Sequence, residues 1–268
     1  MAGDLRASAV VADLGSCFSP RQNETMTDEA DPHPPVTEPP PSRWDRTVAQ
    51  ARAEQEALRS RLVTAPPPGF APRYVAGADV SMERFRHYGY AAIVVIDLET
   101  METVDEASAA AELRFPYVPG YLSFRELPVL ELAWRQLRVR PDLVVFDGHG
   151  YAHPRRFGLA CHGGVAWDVP SIGCAKNPFI GTHAPVGDVR GATSSIVHEG
   201  EVVGNVVRTR AGAKPLYVSA GHRMDLPTAV ELVLRLAPRY RQPETTRRAH
   251  QRVNELRRAD RPTENGSA

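Results

Sequence analysis

The stretch PDLVVFDGHG (141–150) decides the fold: a short apolar run ends on an acid, Asp147, and breaks at once into a glycine turn. Bounded on one side by Pro141 and on the other by Gly148 and Gly150, it reads as a buried strand of a sheet covered on both faces. Upstream, YVAGADVSM (74–82) has the same strand character, with Asp79 near its middle. Asp is depleted in strand interiors, and an unpaired buried carboxylate is costly. Glu126, on a helix expected between these two strands, adds a third carboxylate. The simplest account of the set is a shared divalent cation, and hard oxygen donors suit Mg²⁺ or Mn²⁺. Each acid also has a plainer reading. Asp79 also reads as a polar residue paired to backbone, and Asp147 as an Asx-type cap before Gly148. Ser123-Phe124-Arg125-Glu126 fits an S-x-x-E capping box, although Pro128 makes that box imperfect.

The elements around these acids follow from periodicity. Helical spacing of apolar residues predicts an amphipathic helix over 44–62, ended by the prolines at 66–68. Strands near 74–81, 89–98 and 103–113 with short connections predict an antiparallel meander. A helix over 123–138, the strand 142–147, a helical stretch near 155–167 and a strand at 170–174 come next. The stretch 194–208 reads as a hairpin around Glu199-Gly200. A strand at 215–219 and a helix over 226–236 then follow, and 244–258 reads as a basic helix. The order β-β-β-α-β-α-β predicts a mixed sheet with helices on its faces, an α/β domain. In such a sheet the centre of the first strand and the C-terminal end of the fourth can lie side by side, where ligands gather.

Length and composition bound the function classes. The chain has 268 residues, enough for one domain of about 200 residues or slightly more. Its longest apolar stretch, 91–96, is strand-sized, far short of the roughly 18 to 20 residues of a membrane span. Three cysteines, Cys17, Cys161 and Cys174, are too few and too irregular for a disulfide framework or a zinc site. With no convincing export signal, they point to a reducing cytoplasm. Formal net charge is zero, which excludes a generic polyanion binder. Residues 1–42 are poor in large apolar groups and end in DPHPPVTEPPPS, a composition that predicts a disordered leader; Met26 is an alternative start. One folded domain is expected over 43–237, and 238–268 reads as an arginine-rich helix and tail. Only two cations are lysines, Lys176 and Lys214, against 30 arginines, so each Lys is a candidate for a task needing a compact ammonium.

Two loops stand out. In FPYVPGYLSFRE (115–126), Pro116 and Pro119 bracket Tyr117 and stiffen the backbone. Tyr117 then either packs over its own loop or projects as a wedge into a base stack. His222, in YVSAGHRMD, occupies a strand-to-helix turn. His149, His153 and His162 cluster after Asp147. Each of these histidines reads as solvated or as facing the site, and none has zinc-motif spacing.

Taken together, GADVSM (77–82), PYVPGYLSFRE (116–126), PDLVVFDGHGYAHPRRFGLACHGG (141–164), PSIGCAK (170–176) and KPLYVSAGHRMD (214–225) resemble the endonuclease V family, over about residues 45–237. The resemblance implies a ribonuclease H-like fold with a mixed five-stranded central sheet. It implies Mg²⁺ held by Asp79 and Asp147 with Glu126 as a further acidic ligand, and Mn²⁺ as a substitute. His222 would support the reaction near the metal, and Lys176 would stand beside the scissile phosphate. Tyr117 would be the wedge filling the gap left by a displaced inosine, and Gly120, Leu122, His153 and Gly158 would form the hypoxanthine pocket. The leader and the tail after Leu236 would lie outside the family core. The implied partner is inosine-containing DNA, the activity a nick at the second phosphodiester 3′ of the lesion, and the protein a monomer. Competing readings are an inosine-specific endoribonuclease, a non-catalytic binder of modified nucleic acid, and a ribonuclease H- or resolvase-like enzyme without base specificity. The Tyr117 loop argues against the last.

Overall fold

The computed structural model describes residues 45–82 and 87–260. The expected leader over 1–42, the alternative start at Met26 and the last residues of the tail lie outside them. A single mixed sheet forms the framework: β1 (Tyr74–Met82), β2 (Tyr88–Asp97), β3 (Thr103–Glu112), β4 (Leu143–Phe146), β5 (Ser171–Ala175), β6 (Thr193–His198), β7 (Glu201–Val207) and β8 (Leu216–Ala220). Their spatial order is β3-β2-β1-β4-β5-β8-β7-β6. The five strands expected at the centre are the first five of that order. The sheet runs on to eight because β8 pairs antiparallel with β5, β7 with β8, and β6 with β7 through a two-residue hairpin turn. Glu199 and Gly200 both have positive φ, 55° and 78°, the primed-turn geometry that matches strand twist.

Alternation along the strands builds a core on each face. Ala76, Ala78, Val144 and Phe146 face one way, under α2 (Leu122–Gln136) and α3 (Leu159–Trp167). Val75, Leu143, Val145 and Ile172 face the other, under α4 (Leu226–Leu236) and α5 (Glu244–Ala259). The amphipathic helix expected near the start is α1 (Val48–Arg59), opened by a capping box between Thr47 and Gln50. Among the described residues, no helix is long and apolar enough to cross a membrane.

Two local expectations change. The helical stretch near 155–167 begins only at Leu159, and 148–158 is an irregular loop. Arg156 there has φ 54°, and Gly158 folds back through its amide onto the Gly150 carbonyl at 3.0 Å. The basic helix at the end is no appendage. Thr245, Ala249, Val253 and Leu256 of α5 are buried, and the helix lies so close to β1 that a Cβ on Gly77 would stand 2.2 Å from the Thr245 carbonyl carbon. Only a glycine at 77 admits that approach. A boundary at residue 238 therefore cuts through one packed body.

Candidate metal centre and adjoining pocket

Parallel pairing of β1 with β4 brings the two aspartates together. Ala78 is in register with Phe146, and the Asp147 amide donates to the Ala78 carbonyl at 3.1 Å. Asp147 thus stands beside Asp79 where β4 ends and β1 continues. Lys176 follows β5, which runs parallel to β4, so its Nζ reaches the same edge and donates to the Asp147 carboxylate. Glu126 approaches from α2 and is buried. It caps nothing: the N-cap of α2 is Tyr121, without a side-chain cap bond, and Ser123 instead meets Nδ1 of His162 at 2.9 Å. The capping-box reading is excluded, and so is the plain-cap reading of Asp147, whose carboxylate meets Lys176.

These groups repel one another. Burial, and then the charges of Asp79 and Asp147, push the Glu126 carboxyl well above the usual carboxylate range, with Arg125 opposing. Asp147 is raised by burial and by Asp79, with Lys176 opposing. Like-charged carboxyls in a shared, poorly solvated site favour a cation or a proton between them. That electrostatic deficit, with oxygen donors converging on one point, fits a hard divalent ion.

His250, on α5, completes the group. Its Nδ1 lies 2.6 Å from Asp79 Oδ2, and Asn254 Nδ2 lies 3.1 Å from its Nε2. Ligand atoms of Asp79, Asp147 and His250 all fall within 4.8 Å of one another; Glu126 is not in this set but feels the charges of both aspartates. The arginine-rich composition of this helix gives no sign of a ligand at His250. The signal was present in the stripe Ala249, Val253, Leu256, at i, i+4, i+7, which marks a core-facing helix.

His222, expected near the metal, stands elsewhere. Strand β8 is antiparallel to β5, pairing Ala220 with Ile172, so the turn after β8 lies at the start of β5 while Lys176 follows its end. The His222 amide donates to Ser171 Oγ at 2.8 Å, about 16 Å of strand away from Lys176 at roughly 3.3 Å per residue. Its Nδ1 accepts from the Val63 amide at 3.3 Å, and its Nε2 lies 3.5 Å from Asp168. The antiparallel return of β8 removes His222 from the acidic cleft.

Beside the cleft lies a cavity of about 140 Å³, and Gly120, Leu122, His153 and Gly158 all line it, together with Tyr117, Pro119, Gln55, His149 and Phe179. Tyr117 is 71% exposed, so it projects from its loop instead of packing over it. Pro116 does not line the cavity and flanks the tip as a stiffener. Burial holds both neighbouring imidazoles neutral. His153 is pushed down to about 4, with Arg155 adding to the effect, and His149 also to about 4. The Gly120 carbonyl gathers three donors: Gln55 Nε2 at 3.1 Å, His153 Nε2 at 3.0 Å and Arg155 Nη2 at 2.6 Å. A small, largely apolar pocket with a few fixed polar groups suits a small ligand with polar edges.

Comparison with known proteins agrees with this arrangement. The family model described as Endonuclease V matches residues 56–251, a span that includes His250. The Endonuclease V of Myxococcus xanthus is 57% identical over 223 residues, covering 83% of this chain and 95% of its own. The crystal structure of Endonuclease V from Streptomyces avermitilis superposes with a TM-score of 0.77 at 44% identity, covering 84% of this chain and 97% of that one. Endonuclease V of Ciona intestinalis, solved with a 23-mer DNA containing an inosine followed by a ribo-adenosine, matches at a TM-score of 0.67 and 28% identity, over 80% and 98%. The mixed α/β sheet is thus the ribonuclease H-like one expected, and the chain belongs to the endonuclease V family.

Proposed function

We propose that this protein is a DNA repair endonuclease that captures deoxyinosine in its pocket and, with Mg²⁺, hydrolyses the second phosphodiester 3′ to it, leaving 3′-hydroxyl and 5′-phosphate ends. The observation that carries the reading is the adjacency of two unlike sites. Ser123 of the pocket lies one turn before Glu126, and His149 two residues after Asp147. A captured base and a phosphodiester a nucleotide away would occupy the two together. Solved relatives from Ciona intestinalis hold inosine-containing DNA, which supports the choice of ligand.

Asp79, Asp147 and His250 would hold the ion, with Glu126 close behind as a further acidic group; Mn²⁺ would substitute. A divalent cation there supplies Lewis-acid charge to the phosphodiester. Lys176 keeps a positive charge at the cleft and can turn from Asp147 to a phosphate oxygen. Asn254, against His250 Nε2, orients the ring so that Nδ1 faces Asp79 and the place of the ion. Tyr117 enters the stack in place of the extruded base, and its two prolines limit the entropy lost on insertion. Cys161 and Cys174 are free buried thiols, compatible with a cytoplasmic protein; we take it to act as a monomer. The test is cleavage of matched strands bearing one deoxyinosine or one adenine, with Mg²⁺ or with chelator. Nicking that ignores the base, or that persists in chelator, overturns the proposal.

A second reading is an inosine-specific endoribonuclease. The ribo-adenosine following inosine in the DNA bound by the Ciona intestinalis protein is the observation that favours it. Side-by-side cleavage of inosine-containing DNA and RNA strands separates the two.

A further inference from the structure

The pocket rests on the irregular loop 148–158, and that loop is held from a distance. Arg156 is 5% exposed and sits at φ 54°, a backbone region that bulky side chains adopt only when their surroundings compel it. Its guanidinium shows what compels it. Nε donates to Glu201 Oε2 at 2.7 Å, Nη1 to the His153 carbonyl at 3.1 Å, and Nη2 to the His198 carbonyl at 3.3 Å. The other oxygen of Glu201 accepts from the Tyr151 hydroxyl at 2.7 Å. One carboxylate on the β6–β7 hairpin, at the far edge of the sheet, therefore ties two residues of the loop, one on each side of His153.

The tie continues inward. His153 meets the Gly120 carbonyl, and Gly120, at φ +83°, closes the rigid segment that carries Tyr117. Hairpin, loop and wedge are joined by successive charge-assisted or buried hydrogen bonds, the kind that lose most when one partner is removed.

We infer that Glu201, which touches neither cavity nor cleft, is a positioning residue for base recognition. It fixes Arg156 and Tyr151, and through them the pose of His153 and the wedge segment. The inference rests on the proposed capture of inosine in this cavity. The role predicts a loss of discrimination without a loss of chemistry, which a purely stabilising ion pair would not produce.

The experiment uses the full chain with Glu201→Ala, and Glu201→Gln as the milder variant. Affinity for a duplex bearing one deoxyinosine is measured in chelator, beside the same duplex with adenine. The nicking rate is read at saturating enzyme with Mg²⁺. In Glu201→Ala, inosine affinity is expected to fall about tenfold, the size of one charge-assisted hydrogen bond. Adenine-duplex affinity and the saturated rate should stay within about twofold. Adding Glu201→Ala to His153→Ala should cost little more, because both act through one group. Hydrogen exchange across 148–158 should quicken in the free protein. Unchanged inosine affinity, a fall in the saturated rate alone, or losses that add fully with His153→Ala would overturn the inference. A wild-type chain that fails to distinguish inosine from adenine would overturn the functional reading instead, and the exchange measurement would then still decide whether Glu201 holds the loop.

Discussion

The acidic cleft and the neighbouring pocket lie a few residues apart in the chain, yet they solve opposite electrostatic problems. In the cleft, Asp79, Glu126 and Asp147 crowd one another, and burial worsens the repulsion. Even with Lys176 against Asp147 and His250 against Asp79, such a cleft favours a cation or a proton among its carboxyls. In the pocket, burial instead keeps His149 and His153 uncharged, and the hydrogen bonds converging on Gly120 are complete within the protein. One region is built to take up charge, the other to present a fixed, neutral surface. On the proposed function, catalysis and recognition are therefore separable, and each should be open to loss while the other survives.

The sharpest way to break that contrast is Asp79→Ala or Asp147→Ala. Either should lower Mg²⁺-dependent nicking roughly 10³-fold, about 4 kcal/mol of transition-state stabilisation, while inosine binding in chelator is retained. Measurable nicking near the wild-type rate would remove the aspartates from the metal site. Next in size is a paired test of the two histidines. His250→Ala should cost about 10- to 100-fold in activity or in apparent metal affinity, read by Mg²⁺ and Mn²⁺ titration, whereas His222→Ala should stay within about twofold on the same measure. The reverse ranking would return the site to the β8 turn.

On the pocket side, Tyr117→Ala should weaken preference for inosine over adenine by about tenfold, consistent with loss of one base–aromatic stack. The metal titration curve should not move; if it does, the two regions are not independent. The smallest effect is on stability. The folded carboxyl of Glu126 is raised above its ordinary 4.5, so folding favours its neutral form. That contribution is complete below 4.5 and is lost as pH rises through the folded value. Metal-free wild type should therefore lose thermal stability relative to Glu126→Gln as pH climbs from 4.5 toward neutrality, and excess Mg²⁺ should narrow the gap. Parallel melting curves across that range would mean that neither burial nor the neighbouring charges raise Glu126.

Much of the molecule could be read from residue order alone. Apolar runs punctuated by glycine and proline located β1 through β5 and the Glu199-Gly200 hairpin, because strand burial and primed turns are local requirements written in local composition. The acids Asp79 and Asp147 were legible for a related reason: a carboxylate inside an apolar strand is a conspicuous expense that needs an explanation. The places of His222 and His250 could not be read in this way. Choosing between them depends on which end of a strand each histidine meets, and no local pattern carries that information. The antiparallel return of β8 sends His222 to the start of β5. The packing of α5 over Gly77 sends His250 to Asp79, across 171 residues of chain.

Residue order sets the elements, their class and the chemical character of the site, since these follow from periodicity, side-chain polarity and motif. Tertiary structure alone decided which distant groups meet: the imidazole that joins the carboxylates, the start of α3 at Leu159, and the hold of Glu201 on Arg156. Those outcomes are set by strand direction, sheet order and the close approach of backbones. Such properties belong to the packed chain as a whole and to no segment of it.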